Sequence, residues 1–186
     1  MHIETARLVI REFIRNDWIE VHKYASSSQV TEHTLWGPNN EEETKSYVSH
    51  QIAMQQLNER TDYEFAVILK ETNQLIGGCG IYIREKNAEI GYCFNSEYWG
   101  NGYASEASKV LLKLAFENFN IHRVFATCRP ENTGSEKVLR KMGMKMEGHL
   151  REHIWAKGKF HDSYLFSILE NEYKERVEPF GSRSNS

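Results

Sequence analysis

The chain is poor in cysteine, with Cys79, Cys93 and Cys128 the only three in 186 residues. None belongs to a Cys-x-x-Cys, and all fall in strand-like stretches, so they read as buried, reduced thiols and not as a disulfide framework. Cysteine and histidine do not combine at ligand spacing, and no metal site is expected. Charge of one sign is also missing. The 23 basic and 26 acidic residues leave a net charge of −3, which gives no footprint for nucleic acid. No apolar run approaches the roughly 18 residues of a membrane span. Met1-His2-Ile3-Glu4 has neither the basic nor the apolar region of a secretory leader. Repeats and low-complexity segments are absent. The expectation is a soluble, cytoplasmic protein. Hydrophobic residues make up 40% of the chain, enough for the core of one domain. That domain is expected over residues 1–176, with a polar, disordered tail over 177–186.

The most informative stretch runs from Asn95 to Ala107. Glu89-Ile90-Gly91-Tyr92-Cys93-Phe94 before it alternates as a strand does. After it, Ala107, Val110, Leu111, Leu114 and Ala115 recur at helical spacing. A loop carrying Gly100 and Gly102 therefore joins a strand to the first turn of a helix. Such a turn leaves N–H groups unpaired at the positive end of the helix dipole and can receive a phosphate. Gly100 and Gly102 let the backbone approach a ligand closely. The dinucleotide fingerprint does not fit, because Ser105 holds the place of its third glycine, and no Lys-Ser or Lys-Thr follows to make a P-loop.

Along the chain, Ala6–Phe13 reads as a first strand and Asn16 or Asp17 as the cap of a helix reaching about Ser26. An irregular connection ends at Asn40. Asn40 begins a helix to about Asn58, with Glu41, Glu42 and Glu43 in its first turn. Tyr63–Leu69, Leu75–Ile83 and Ala88–Phe94 form an antiparallel meander. Gly77, Gly78 and Gly80 suggest a bulge or a close backbone approach. Arg123–Cys128 is a fifth strand. Thr133-x-x-Glu136 reads as a capping box for a helix that ends near Met142, with Gly143 as its stop. Met144–Trp155 and Phe160–Leu169 complete seven strands. The expected architecture is α/β, a mixed and mostly antiparallel seven-stranded sheet flanked by about four helices.

The string Tyr98-Trp99-Gly100-Asn101-Gly102-Tyr103-Ala104-Ser105-Glu106-Ala107 resembles the acetyl-CoA pyrophosphate loop of the GNAT N-acetyltransferases. Within that superfamily it looks like the RimJ/RimL type, which acetylates ribosomal-protein N-termini. The general pattern is Gln/Arg-x-x-Gly-x-Gly/Ala. Trp99 stands at its first place, as is common in that branch, and Gly102 and Ala104 match. A second segment, Asn132-x-x-Ser135-x-x-Val138-Leu139-x-x-x-Gly143-Met144-x-x-Glu147-Gly148, is similar to the other cofactor motif of the family. The order of elements is also the GNAT order, from about Thr5 to Glu172.

The resemblance implies acetyl-CoA as co-substrate and roles for particular residues. Backbone N–H groups of Gly100, Asn101, Gly102, Tyr103 and Ala104, with the Ser105 hydroxyl, would hold the pyrophosphate beside Trp99. Cys93, Phe94 and Asn95 would pair by backbone with the pantetheine arm, and Asn132 would fix its end. Lys137, Arg140 and Lys141 are candidates for the 3′-phosphate. Ser135 would sit by the thioester sulfur. A hydroxyl is a poor acid against a thiol of pKa roughly 8.5, so Ser135 would hydrogen-bond the departing thiolate. A backbone N–H near Phe94 would hold the oxyanion. Glu89 is the candidate base, working through a water. Some relatives of this type carry a glutamate base on the sixth strand. The matching place here is Ile154, which leaves His153 or Glu152 to stand in. His33, Trp36, His153 and Trp155, with His161 and Tyr164, are candidates for the acceptor. The acceptor is expected to be a protein N-terminal α-amine. A small amine such as a polyamine, amino acid or antibiotic is the alternative, and a non-catalytic acetyl-CoA sensor the rival. A homodimer is left open.

Overall fold

The computed structural model describes residues 1–177. Its elements in chain order are β1 (His2–Glu4), β2 (Leu8–Glu12), α1 (Trp18–Ala25), α2 (Ser28–Thr31), α3 (Glu41–Met54), β3 (Asp62–Leu69), β4 (Gln74–Arg84), β5 (Asn87–Phe94), α4 (Tyr103–Lys113), β6 (Arg123–Cys128), α5 (Thr133–Lys141), β7 (Lys145–Ala156), β8 (Lys159–Leu169) and α6 (Glu170–Val177). The strands form one eight-stranded sheet in the order β1-β2-β3-β4-β5-β6-β8-β7. All neighbours are antiparallel except β5 and β6.

The sheet has eight strands where seven were expected, because a short strand precedes the expected first one, which is β2. Thr5 turns the chain, its N–H donating to the Leu8 carbonyl and its hydroxyl accepting from the Leu8 N–H, both at 2.9 Å, and His2–Glu4 folds back on Val9–Arg11 as a separate strand. Six helices stand where about four were expected. The additions are α2, a single turn capped by Ser27, and α6, a polar helix that runs directly out of β8. α3 stops at Met54, short of Asn58. The expected capping box at Thr133 is not made. Asn132 is the cap, its side chain accepting from the Ser135 N–H at 2.9 Å, while Glu136 pairs with Arg140 one turn on. The expected tail begins at Val177, which closes α6; residues 178–186 lie outside the described residues.

Two apolar clusters cover the two faces of the sheet. α4 and α5 bury Ala107, Leu111, Leu112 and Leu139 on Ile10, Phe65, Ile81, Ile90, Val124 and Phe166. α1, α2 and α3 bury Val21, Tyr24, Val30 and Val48 on Phe13, Ala66, Ile68 and Leu75. Each fully buried Leu, Ile or Phe contributes about 1.5–3 kcal/mol of transfer free energy. The glycines of β4 do what their pattern suggested. Ile76 is the extra residue of a bulge, since Val67 pairs with Gly77 and Ile68 with Leu75. A Cβ at Gly77 would lie 2.5 Å from the Cys93 carbonyl oxygen, so only glycine lets β4 approach the end of β5.

Candidate active site

The site begins where the sheet opens. β5 and β6 pair over three residues only, Asn87 with Arg123, Ala88 with Val124 and Glu89 with Phe125. Beyond Glu89 the two strands diverge. The Asn95 N–H bonds the Ile76 carbonyl on β4 at 2.9 Å. Backbone groups alternate in direction along a strand, so those of Tyr92 and Phe94 face the gap instead. Of the three residues expected to pair with the pantetheine arm, Phe94 is thus the one whose backbone is presented. Asn95, and by the same alternation Cys93, are turned towards β4, and Tyr92 was not foreseen.

One cavity of about 1110 Å³ runs along this gap, from the α4 N-terminus past α5 to Glu64 and the His33–Trp36 loop. Its α4 end is the expected anion receptor in form. Gly100 and Gly102 have φ of +79° and +82°, a conformation costly for any residue with a Cβ. The first helical N–H with a partner is that of Glu106, bonded to the Gly102 carbonyl at 3.1 Å. The N–H groups of Tyr103, Ala104 and Ser105 are therefore free within the helix. The loop is held rigid from behind. The Trp99 indole donates to the Phe94 carbonyl at 2.8 Å, and the Asn101 side chain to the Trp99 carbonyl at 3.1 Å. Arg7 donates to the Asn101 carbonyl at 2.9 Å, pairs with Glu106 at 2.7 Å and lies over the Tyr103 ring. Burial pushes the Glu106 carboxyl up, but hydrogen bonds from Thr5 and Arg7 outweigh it and hold the group below its ordinary value. The free N–H groups, the left-handed glycines and the elongated cavity fit a pyrophosphate and a long arm.

In the middle of the cavity Ser135 stands in the first turn of α5. Its hydroxyl lies 2.9 Å from the Tyr92 hydroxyl, which is buried and has its pKa raised by that burial. The Asn132 side-chain oxygen is occupied by the Ser135 N–H. Lys137 lines the cavity. Arg140 does not: it pairs with Glu136 at 2.8 Å and lies over Phe166.

The other end of the cavity lies on the opposite face of the sheet, beneath α1 and α3. Glu64 projects from β3 into it and is bonded by the Tyr82 hydroxyl and, at 3.3 Å, by that of Tyr47. Burial raises its pKa; Tyr82, Tyr47 and Arg60 pull the other way and Asp62 adds to the rise. Gly80 and Gly91 face each other across β4 and β5. A Cβ at Gly80 would crowd the Glu64 carboxyl at 2.9 Å, whereas one at Gly91 would find only a Tyr82 ring carbon at 3.9 Å. Glu89 shares this face, directly opposite Tyr82. Burial raises its pKa too, with His153 and Arg84 opposing.

His33 and Trp36 line the cavity mouth. His153 and Trp155 do not line it. The β7–β8 hairpin turns them elsewhere: His153 bonds the Ser163 hydroxyl at 2.8 Å, and Trp155, 62% exposed, packs edge-on against Phe160. His161 bonds the Ala156 carbonyl and Tyr164 stacks edge-on with His149. Glu152 sits in a bulge of β7, its N–H bonded to Asp162. His149 and His153 do stand four apart, but on an irregular strand they take separate partners, Asp162 and Ser163. No group of three or more metal-capable side chains occurs among the described residues.

A family model for the acetyltransferase (GNAT) domain matches residues 7–145. The chain belongs to the GNAT acetyltransferases. It is 40% identical over 176 residues to the uncharacterized N-acetyltransferase YnaD of Bacillus subtilis, covering 93% of this chain and 99% of that one. Among solved structures it matches a GNAT-family acetyltransferase from Bacillus anthracis with a TM-score of 0.83 at 38% identity, over 92% and 100% of the two chains. Two more distant structures share the fold. One is RimL, a ribosomal L7/L12 α-N-protein acetyltransferase, with a TM-score of 0.80, 20% identity and 91% and 94% coverage. The other is the spermidine N-acetyltransferase of Vibrio cholerae in complex with CoA and spermine, with a TM-score of 0.77, 21% identity and 91% and 99% coverage.

This acetyltransferase uses acetyl-CoA, as GNAT enzymes do. Among the cavity residues that escaped the sequence reading are Glu64, Tyr82, Tyr92 and Arg129. A charge inside the apolar run Tyr63–Leu69 was the one signal for Glu64. Tyr92 read as an ordinary apolar member of a strand face, and Arg129 as a loop residue before Pro130.

Proposed function

We propose that this enzyme acetylates an α-amine, with a protein N-terminus as the natural acceptor. The observation that carries the reading is the course of the cavity. It links the α4 anion receptor to an acceptor end that opens beside the exposed Leu35 and Trp36, so the acetyl group would be delivered to a chain end entering from solvent. RimL, with the same fold, acts on a protein α-amine. An α-amine has a pKa of about 7.7–8.0, so a share of it is neutral at physiological pH and needs only a weak base.

In this reading the neutral nitrogen attacks the thioester carbonyl, the N–C bond forms and the C–S bond breaks. The backbone N–H of Phe94 faces the developing oxyanion. The Ser135 hydroxyl, itself paired with Tyr92, hydrogen-bonds the departing thiolate. The surplus ammonium proton leaves through water to Glu89, which burial makes a stronger base than an ordinary carboxylate. Lys137 is the remaining candidate for the 3′-phosphate, since Arg140 is committed to Glu136 and Lys141 does not line the cavity.

A second reading, acetylation of a polyamine, is favoured by one feature, the Glu64 carboxyl in the acceptor end. A spermidine N(1)-acetyltransferase of Escherichia coli is 25% identical over 47% of the chain. The Tyr82 and Tyr47 hydroxyls already donate to the Glu64 carboxyl and would compete with a cation for it. The test is CoA release from acetyl-CoA against peptides of varied N-terminal residue, polyamines, amino acids and aminoglycosides. Turnover on peptides is expected. Turnover confined to spermidine or spermine would replace this reading by the second.

A further inference from the structure

Among the described residues three partly buried arginines are paired with carboxylates, and the buried Arg129 is not. Arg11 meets Asp17 at 2.7 Å, Arg60 meets Glu12 at 2.7 Å and Arg123 meets Glu147 at 2.5 Å. Arg129, only 6% exposed, has no carboxylate partner among the described residues, and its Nη1 is sealed from solvent with no hydrogen-bond partner. A buried guanidinium has five N–H donors and cannot shed its charge, so leaving it unpaired is costly. Burial depresses its pKa, and Glu131 and Asp162 act on it only from a distance. Asp162 is committed to His149 and to the Glu152 N–H.

Its position says what the missing partner is. Val124, Ala126 and Cys128 of β6 point into the core beneath α4 and α5. Strand alternation puts Arg129, the next residue, on the other face of the sheet. That is the acceptor face, where the β5–β6 register carried forward sets Arg129 across the gap from Cys93, and Arg129 lines the cavity there. An amine reaching the gap brings its neighbouring atoms up to this guanidinium. A polyamine would bring only N–H donors and positive charge, both wrong for it. An α-amino group brings an oxygen two bonds from its α-carbon.

We propose that Arg129 receives the oxygen of the group next to the acceptor's amine, the carbonyl of an N-terminal residue or the carboxylate of an amino acid, and so selects α-amines over alkylamines and polyamines. This rests on the acetyl-transfer reading above and names the chemistry by which the site would enforce it. Arg129 is then a specificity-determining contact of the acceptor, and the oxygen it binds fixes the direction from which the nitrogen approaches.

The test compares the wild type with Arg129→Met and Arg129→Lys on a short peptide beginning with alanine, on free alanine and on propylamine, with acetyl-CoA affinity measured alongside. Hydrogen bonds to a charged group predict that Arg129→Met loses roughly 10- to 100-fold in kcat/KM on the peptide. Propylamine turnover and acetyl-CoA affinity are expected to stay unchanged, and Arg129→Lys to recover part of the loss. A larger loss on free alanine than on the peptide would identify the carboxylate as the partner. Equal losses on peptide and propylamine, no loss on either, or weakened acetyl-CoA binding would overturn the proposal. If acetyl-CoA binds and nothing is turned over, the transfer reading fails by itself. Calorimetry of peptide and alanine binding to the CoA-loaded protein then decides: binding lost in Arg129→Met upholds the role of Arg129, and no binding of either to the wild type overturns it.

Discussion

Ser135 and Tyr92 come from distant parts of the chain, and their hydroxyls meet at 2.9 Å in the wall of the cavity. Each holds the other in one rotamer, so neither acts alone on a departing thiolate. Ser135→Ala and Tyr92→Phe are each expected to lower kcat by roughly 2- to 10-fold, the worth of one hydrogen bond. The double variant should fall short of the product of the two losses, because both remove the same contact. Initial rates on the best acceptor measure this. Glu64 allows a second prediction, read in stability. Burial raises its folded pKa above the unfolded value, against the donors Tyr82 and Tyr47 and the nearby Arg60 charge, with Asp62 acting in the same sense as burial. A raised carboxyl contributes its stability below the ordinary value, roughly 4.3, and loses it as pH rises through the folded pKa. Glu64→Gln has no proton to lose. Its melting temperature relative to the wild type should therefore climb between pH 4 and pH 8, and a flat difference would refute the burial account.

At the scale of elements, the α4 turn is organised from outside itself. Arg7, at the foot of β2, fastens the Asn101 carbonyl and the Glu106 carboxylate together. Arg7→Ala leaves the core untouched and should weaken acetyl-CoA binding while leaving the melting temperature nearly unchanged, since the pair is half exposed. Gly102→Glu should abolish that binding, through both its left-handed φ and a negative charge set where a phosphate is expected. The regular elements were legible because their apolar residues repeat at a period of 2 or 3.6, as in β5 and α4. What escaped is short or polar. β1 has three residues and α2 has four, too few to show a period, and α6 carries charge on most of its length. The Asn132 cap was hidden because Thr133 and Glu136 present an equally good pattern one residue later, which local sequence cannot rank. In the site, the glycine loop announced itself by its residue types. The pairing of Ser135 with Tyr92 and the loneliness of Arg129 are properties of strand order, which no local window contains.

For the molecule as a whole, the decisive feature is a sheet that is continuous on both sides of one weak joint. β1 to β5 form an unbroken antiparallel run, as do β6, β8 and β7, and the two meet through three parallel pairs and the packing beneath α4 and α5. The Tyr92 and Phe94 amides that face the gap should exchange hydrogen quickly in the free protein and slowly with acetyl-CoA bound. Exchange rates that ignore the ligand would argue against a strand-like pairing there. The same joint has a use in protein engineering. A chain cut between Asn118 and His122, just ahead of β6, becomes two fragments whose mutual grip is short on backbone bonds. A ligand that bridges them adds RT ln(1 + [L]/Kd) to their association. Such a split enzyme would be assembled by its own co-substrate, and recovery of the whole from its halves would report the local concentration of acetyl-CoA.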